Sequence, residues 1–127
     1  MKRLSILFGI LLSLFGISCH ERPLFKSVDV VEFERLVNDD AYVVLDVRTS
    51  AEHDEGYIEG TDYNIDVLAD DFVEQVKATL PKDKVVALYC RSGNRSKQAA
   101  EVLSQDGFTN IIECGGIIDY KGELERY

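Results

Sequence analysis

Residues 85–103 read Val85-Val86-Ala87-Leu88-Tyr89-Cys90-Arg91-Ser92-Gly93-Asn94-Arg95-Ser96-Lys97-Gln98-Ala99-Ala100-Glu101-Val102-Leu103. The first part of this stretch, residues 85–89, is apolar and β-branched, which is typical of a parallel strand buried on both faces. Its last part, residues 96–103, is predicted to open a helix. Cys90 therefore lies where a strand passes into a helix, at the sheet edge where α/β proteins bind ligands.

The loop after Cys90 is predicted to stabilise a thiolate. Backbone amides between Arg91 and Ser96 would point toward the sulfur, and the partial positive charge of the helix N-terminus would lie close by. The guanidinium groups of Arg91 and Arg95 add full positive charges. Thiolates in such surroundings have pKa values of roughly 3.5 to 7.5, against about 8.5 for a free thiol. We therefore predict that Cys90 is a nucleophile at neutral pH and faces an anion site.

This loop resembles the active loop of the rhodanese sulfurtransferases, C-R-x-G-x-R-[ST], at every specified position from Cys90 to Ser96. The resemblance implies that Cys90 carries a sulfur as a persulfide. The sulfur would come from thiosulfate or a similar sulfane donor and go to cyanide or a thiol. The resemblance also implies that the substrate anion is bound by the remaining loop residues, Arg91, Ser92, Gly93, Asn94, Arg95 and Ser96. It implies no metal and no organic cofactor.

Two alternative functions remain open for the same loop. Phosphatases of the C-x5-R type need an arginine six residues after the cysteine, whereas Arg95 comes five residues after Cys90 and position 96 is Ser. The shorter loop makes a smaller cradle, which favours the outer sulfur of a persulfide over the phosphate of a phosphatase or the substrate of an arsenate reductase. The other alternative is a carrier that delivers its persulfide to one protein partner. The physiological donor and acceptor do not follow from the loop, because function depends on the site and not on the fold.

A second segment resembles the other rhodanese signature, D-V-R followed by E-x-x-x-G-H-I-x-G-A-x-N-I. The matching residues are Asp46-Val47-Arg48, Glu52 and residues 56–65. The segment departs from the signature at Tyr57, where His is frequent, and at Thr61, where Ala is usual. Neither position supplies a nucleophile in the family, so these departures concern the fine structure of the segment.

The same segment is predicted to support the active loop. Thr49 can cap a short helix over 50–55 with Glu52 at its third position, and Arg48 can pair with Glu52 across that cap. Asp46 is predicted to end its strand at the same sheet edge as Cys90. There it either orients the active loop through hydrogen bonds or starts a turn.

The order of apolar runs predicts an α/β fold. Strands are expected at 27–28, 42–46, 64–65, 85–89 and 108–114. Helices are expected after the cap Asp29, and at 50–55, 70–80, 96–106 and 117–121. We therefore expect one rhodanese-like domain over residues 27–127, with a mostly parallel central sheet of about five strands and helices on both faces.

The first residues have the pattern of an export signal. Lys2-Arg3 precedes an apolar stretch over 4–17, which is too short for the roughly 20 residues of a spanning helix. Residues 16–19 then resemble a bacterial lipobox, which implies cleavage after residue 18 and lipidation of Cys19. Residues 19–26 would be a short tether, and the protein would be exported to the periplasm or cell envelope and held at the membrane through Cys19. The alternative is cleavage by the general signal peptidase, which leaves Cys19 an ordinary thiol.

The acidic composition excludes several partners. The 127 residues carry a net charge of −9, which disfavours binding to nucleic acid or to anionic lipid headgroups. Against this background, the basic loop is expected to select small anions. His20 and His53 lack metal-ligand spacing, and His53 is predicted to be a solvated surface residue. Cys114 is predicted to be a small buried residue, with a redox pair to Cys90 as the alternative.

Overall fold

The computed structural model describes residues 25–126, so the predicted signal peptide and Cys19 lie outside the described residues. The strands are β1 Lys26–Ser27, β2 Tyr42–Asp46, β3 Tyr57–Ile58, β4 Tyr63–Asn64, β5 Val85–Cys90, β6 Ile111–Gly116 and β7 Leu124–Glu125. The helices are α1 Val30–Leu36, α2 Ser50–Glu55, α3 Phe72–Thr79 and α4 Asn94–Gln105, followed by a 3-10 turn, Ile117–Asp119. Within residues 25–126, no helix has both the length and the apolar character needed to cross a membrane.

A five-stranded parallel sheet forms the centre of the domain, as predicted. Its strand order is β1-β6-β5-β2-β4, and each neighbouring pair is parallel. The central strand β5 is buried along nearly its whole length, because helices cover both faces of the sheet. The carboxyl ends of the parallel strands therefore meet at one edge, where Cys90 ends β5.

Two hydrophobic clusters hold the helices against the sheet. On one face, Val76 of α3 and Leu103 of α4 pack in the cluster that contains Leu88 of β5. On the other face, Phe33 of α1 packs in the cluster that contains Tyr89, with the two ring centroids 5.7 Å apart. Successive residues of β5 belong to opposite clusters, as the alternation of side chains in a strand requires.

The structure differs from the predicted elements near the carboxyl terminus. The last parallel strand begins at Ile111 and not at 108, because the Phe108 amide donates to the Leu103 carbonyl and closes α4. The helix predicted over 117–121 is the single 3-10 turn. The antiparallel pair β3–β7 was not predicted, because strands of two residues are too short to show a period.

Candidate active site

The active loop follows β5 directly and cradles the sulfur of Cys90. The Gly93 amide donates a hydrogen bond to Sγ at 2.9 Å. Gly93 has φ of 107°, a left-handed conformation that favours glycine, and α4 begins at the next residue. Gly116 of β6 lies against the loop so closely that a Cβ there would overlap the backbone of Arg91. The backbone thus fixes the loop around the sulfur from both sides.

The surroundings of Cys90 favour its ionised form. The residue is buried, with 1% of its surface exposed, so the sulfur lies at the bottom of the cradle. Burial opposes ionisation, but hydrogen bonding with the Ser96 hydroxyl and from the amides of Ser96, Gly93 and Ser92 outweighs it. The pKa of the Cys90 thiol is therefore lowered from its ordinary value. This is the setting of a nucleophilic cysteine.

Cys114 has the opposite character. It is fully buried, and burial raises the pKa of its thiol. Both Cys90 and Cys114 are free thiols, and they belong to the clusters on opposite faces of the sheet. The redox pair does not fit this arrangement, because side chains that point apart cannot form a disulfide without backbone movement. Cys114 is a small buried residue, as expected.

Arg95 is held by Glu52 and not left as an isolated cation. Its Nη1 and Nη2 atoms donate to the two carboxylate oxygens of Glu52 at 2.7 and 2.8 Å. The pKa of Arg95 is raised, first by this hydrogen bonding and in part by the charge of Cys90. Glu52 thus belongs to the site, although sequence analysis assigned it to a pair with Arg48. The pairing with Arg48 is wrong, because Arg48 contacts only the carbonyl oxygen of Glu52, at 3.4 Å.

Arg48 pairs with Asp46 instead, inside the domain. Its Nε and Nη2 atoms donate to the Asp46 carboxylate at 2.7 to 3.1 Å, and Nη2 also donates to the Gly56 carbonyl at 2.7 Å. Burial lowers the pKa of Arg48, but the hydrogen bonds and the charge of Asp46 raise it by more. The pKa of Arg48 is therefore raised. Asp46 also accepts from the Arg48 amide at 2.9 Å, which makes a turn at the end of β2. Asp46 therefore reaches the active loop indirectly, through Arg48, Glu52 and Arg95.

His53 completes the buried group around Asp46. Its Nδ1 atom lies 2.9 Å from the Asp46 carboxylate, and its ring stacks on Tyr57 with centroids 4.3 Å apart. The prediction that His53 is a solvated surface residue is therefore wrong, since only 7% of it is exposed. Tyr57, which departs from the family signature, supplies the ring that stacks on His53.

Ser96 connects the loop to a buried carboxylate that sequence analysis missed. Ser96 is fully buried, and its hydroxyl lies 2.6 Å from Oε1 of Glu113 and 2.9 Å from the Gly93 carbonyl. Glu113 is only 2% exposed. The available signal was alternation in β6, which places Glu113 on the same face as the buried Ile111.

The remaining loop residues lie at its outer surface. Arg91, Ser92 and Asn94 are exposed, while Gly93 and Ser96 are buried beneath them. Arg91 lines a cleft of about 620 Å³ that also contains Ile118, Leu124 and Arg126. This cleft adjoins the loop and combines apolar walls with three guanidinium groups, because Arg48 lines it as well. Among the described residues, no three His, Cys, Asp or Glu side chains are grouped as metal ligands.

Comparison with known proteins identifies the family. Residues 29–122 match the family described as Rhodanese-like domain. The chain is 30% identical to thiosulfate sulfurtransferase PspE of Escherichia coli over 76 residues, which cover 59% of this chain and 70% of that protein. It is 31% identical to tRNA uridine(34) hydroxylase of an Enterobacter strain over 110 residues, which cover 77% of this chain but 31% of that protein.

Solved structures agree with this assignment. A rhodanese-related protein from Thermoplasma volcanium superposes with a TM-score of 0.65 and 32% identity, covering 80% of this chain and 99% of that one. A rhodanese-like domain protein from Staphylococcus aureus gives a TM-score of 0.67 and 25% identity, with 80% and 98% coverage. The chain therefore belongs to the rhodanese-like domain family. The loop over residues 90–96 is the segment that resembles the active loop of this family.

The Glu52–Arg95 pair leads to a prediction about stability. Hydrogen bonding from Arg95, opposed by burial and aided by Thr49, lowers the pKa of Glu52 to about 2 from 4.5. The pair therefore stabilises the fold above pH 4.5, and this contribution is lost as the pH falls toward 2. Glu52→Gln is expected to lower the free energy of unfolding at pH 7 by about 1 to 2 kcal/mol, after allowance for partial exposure.

Urea denaturation across this pH range measures the effect. The wild-type protein and the variant should differ at pH 7 and converge as the pH falls through 2, where Glu52 takes up its proton in the folded state as well. Glu101→Gln, on the exposed face of α4, is the matched control for the change in net charge. A difference between wild type and Glu52→Gln that stays constant across the range would contradict the prediction.

Proposed function

We propose that this protein is a sulfurtransferase that moves a sulfane sulfur, from thiosulfate or a similar donor, to a thiophilic acceptor through a persulfide on Cys90. The observation that carries the proposal is the Gly93 amide at 2.9 Å from Sγ, at the bottom of a loop that lowers the pKa of this thiol. Cys114 differs, because burial raises the pKa of its thiol in spite of a backbone hydrogen bond from Leu88. Membership in the rhodanese-like family and the similarity to a thiosulfate sulfurtransferase support the proposal.

The first half of the reaction loads the sulfur. The Cys90 thiolate attacks the outer sulfur of the donor, a new S–S bond forms, and the donor's own S–S bond breaks. With thiosulfate, sulfite leaves with the electron pair of that bond. Arg91 at the mouth of the loop attracts the anion, and the loop amides stabilise charge on the sulfur that remains. The product is the Cys90 persulfide.

The second half returns the enzyme to its starting state. Cyanide, or a thiol in the cell, attacks the outer sulfur of the persulfide and forms a bond to it. The S–S bond to Cys90 breaks, and its electron pair returns to Sγ as a thiolate. The same loop amides that support the nucleophile in the first half thus stabilise the leaving group in the second. The scheme requires no metal and no organic cofactor.

A panel of donors tests this proposal. Purified protein is incubated with thiosulfate, mercaptopyruvate or an organic polysulfide, and the peptide containing Cys90 is analysed by mass spectrometry for one added sulfur. Steady-state rates with cyanide are then measured for each donor. We expect loading on Cys90 by at least one donor and ping-pong kinetics with that donor. Absence of the added sulfur with every donor would reject the proposal.

A second candidate function is that of a sulfur carrier for one protein partner. Three large apolar side chains that follow strands of the parallel sheet are exposed, namely Val31 at 64%, Leu68 at 60% and Ile118 at 61%. Exposed apolar groups at the edge that holds the active site favour contact with another protein. A stable sulfur adduct on Cys90 together with negligible turnover on small donors would distinguish the carrier from the enzyme.

We also propose that the protein works in the cell envelope, anchored by a lipid on Cys19. The support is the basic and apolar pattern of residues 2–17 followed by the lipobox-like residues 16–19. Metabolic labelling with a radioactive fatty acid tests the anchor, with Cys19→Ser as the matched variant. Equal labelling of both proteins, or none of the wild type, would reject the lipid anchor.

A further inference from the structure

Glu113 is a buried carboxylate at a position where an apolar residue would fit. It lies on the face of β6 that carries the buried Ile111, and 2% of it is exposed. Its Oε1 atom accepts hydrogen bonds from the Ser96 hydroxyl at 2.6 Å and from the Gly115 amide at 2.7 Å. A buried charge is costly unless it is compensated, so these contacts call for an explanation beyond packing.

One hydroxyl connects this carboxylate to the reactive sulfur. The Cys90 thiol donates to Ser96 Oγ at 3.5 Å, and Ser96 Oγ donates in turn to Glu113 Oε1 at 2.6 Å. The thiol, the hydroxyl and the carboxylate therefore form a continuous path for a proton. All three groups are buried, so the path is shielded from solvent.

We propose that Glu113 accepts the proton of Cys90, through Ser96, and keeps it for as long as the sulfur of Cys90 bears a negative charge. This inference rests on the proposed function for its role in turnover, but the proton path itself does not require a sulfur donor. Glu113 is a positioning residue in this scheme, because it acts on the sulfur only through Ser96.

The proton balance of both half-reactions follows from this path. Before loading, the Sγ–H bond breaks, the proton moves to Ser96 Oγ, and the proton of Ser96 moves to Oε1 of Glu113, so that a thiolate attacks the donor. The persulfide anion then exists beside a neutral carboxyl. In unloading, the electron pair of the broken S–S bond returns to Sγ as a thiolate, and Glu113 keeps the proton. The combined charge of Cys90 and Glu113 is thus −1 at every stage, and two anions never face each other.

The other charged groups near Cys90 and Glu113 are paired or exposed to solvent. The interaction between these two residues is therefore the main electrostatic influence on either of them. On α4, Arg95 is held by Glu52 and Lys97 is exposed. Before α1 and after β6, Asp29 and Asp119 are exposed to solvent, which screens their charges. Cys114, on the other face of β6, stays neutral because burial raises the pKa of its thiol.

The pH dependence of Cys90 alkylation is the first test. Iodoacetamide reacts with the thiolate, and mass spectrometry of the peptide containing Cys90 gives its rate at each pH. In the wild type the rate should rise in two steps, because two coupled groups lose their protons in succession. In Glu113→Gln it should rise in one step.

Infrared spectroscopy of the wild-type protein is the second test, and it needs no variant. Alkylation makes the sulfur permanently neutral, so Glu113 must then release its proton and the absorption of one protonated carboxyl group should disappear. Glu101→Gln, with the same change of net charge on the exposed face of α4, should keep both the two-step profile and the infrared change.

The outcomes separate the alternatives. A single step in the wild type, or no infrared change on alkylation, overturns the proton path. Destabilisation of Glu113→Gln without any change in its profile assigns Glu113 a packing role only, which also overturns it. A two-step alkylation profile together with the infrared change, in a protein that never accepts sulfur, would support the proton path and reject the proposed sulfurtransferase.

Discussion

Cys90→Ser is expected to abolish sulfur loading and to lower sulfur-transfer turnover by a factor of roughly a thousand or more. A serine hydroxyl is not ionised at neutral pH and cannot form a persulfide, although the Gly93 amide and the rest of the cradle would remain in place. The rate of thiocyanate formation from thiosulfate and cyanide measures turnover. Mass spectrometry of the peptide containing residue 90 measures loading.

Cys114→Ala is the matched control for this variant. It also removes one thiol, but from the opposite face of the sheet, where burial raises the pKa of that thiol. We expect it to load sulfur and turn over normally, with a loss of about 1 kcal/mol in the free energy of unfolding. Normal turnover by Cys90→Ser would show that the sulfur travels by another route, and the persulfide mechanism would then be wrong.

The features that were predicted from sequence are local in the chain. The strand 85–90, the loop and the start of α4 are contiguous, so apolar composition and loop glycine were enough to place Cys90 at the carboxyl edge of the sheet. The cap of α2 by Thr49 was predicted for the same reason, since its partner Glu52 is three residues away. The parallel sheet followed from the alternation of strands and helices.

The features that were missed depend on contacts between distant segments. Glu52 and Arg95 are 43 residues apart, and the sequence offered Arg48 as a nearer partner for the same carboxylate. The orientation of α2 against α4 decides between them, and no local pattern reports that orientation. Burial of His53 and Glu113 was missed because charged and polar side chains are mostly exposed, so composition predicts the surface for them.

The buried polar residues connect the two signature segments. Asp46 ends β2 and holds Arg48, and Arg48 contacts the carbonyl oxygen of Glu52. Glu52 in turn holds Arg95, which belongs to the active loop. Residues of the first signature therefore act on the second through this series of contacts, without touching the sulfur.

Asp46→Ala is expected to destabilise the domain more than either Glu52→Gln or Cys114→Ala. Asp46 is fully buried, and the side chain of Arg48 is 6% exposed, so removal of the carboxylate leaves a buried guanidinium without its counter-charge. Breaking a buried pair in this way costs about 3 to 5 kcal/mol. For a domain of this size, that corresponds to a melting temperature lower by about 12 °C or more. Calorimetry at pH 7 measures the change, and Asp54→Asn on the exposed side of α2 is the control.

A double-mutant cycle separates the charge pair from simple loss of volume. Arg48→Met is paired with Asp46→Ala, because a buried ion pair replaced by apolar groups is often nearly neutral in stability. The double variant should therefore be more stable than the sum of the two single changes predicts, by about 2 kcal/mol or more. The double variant should still be less stable than the wild type, since His53 also loses its contact with Asp46 and the Gly56 carbonyl loses the donor from Arg48. Additive effects within about 0.5 kcal/mol would mean that Asp46 and Arg48 stabilise the domain independently. In that case the link from β2 to the active loop would not pass through their charges.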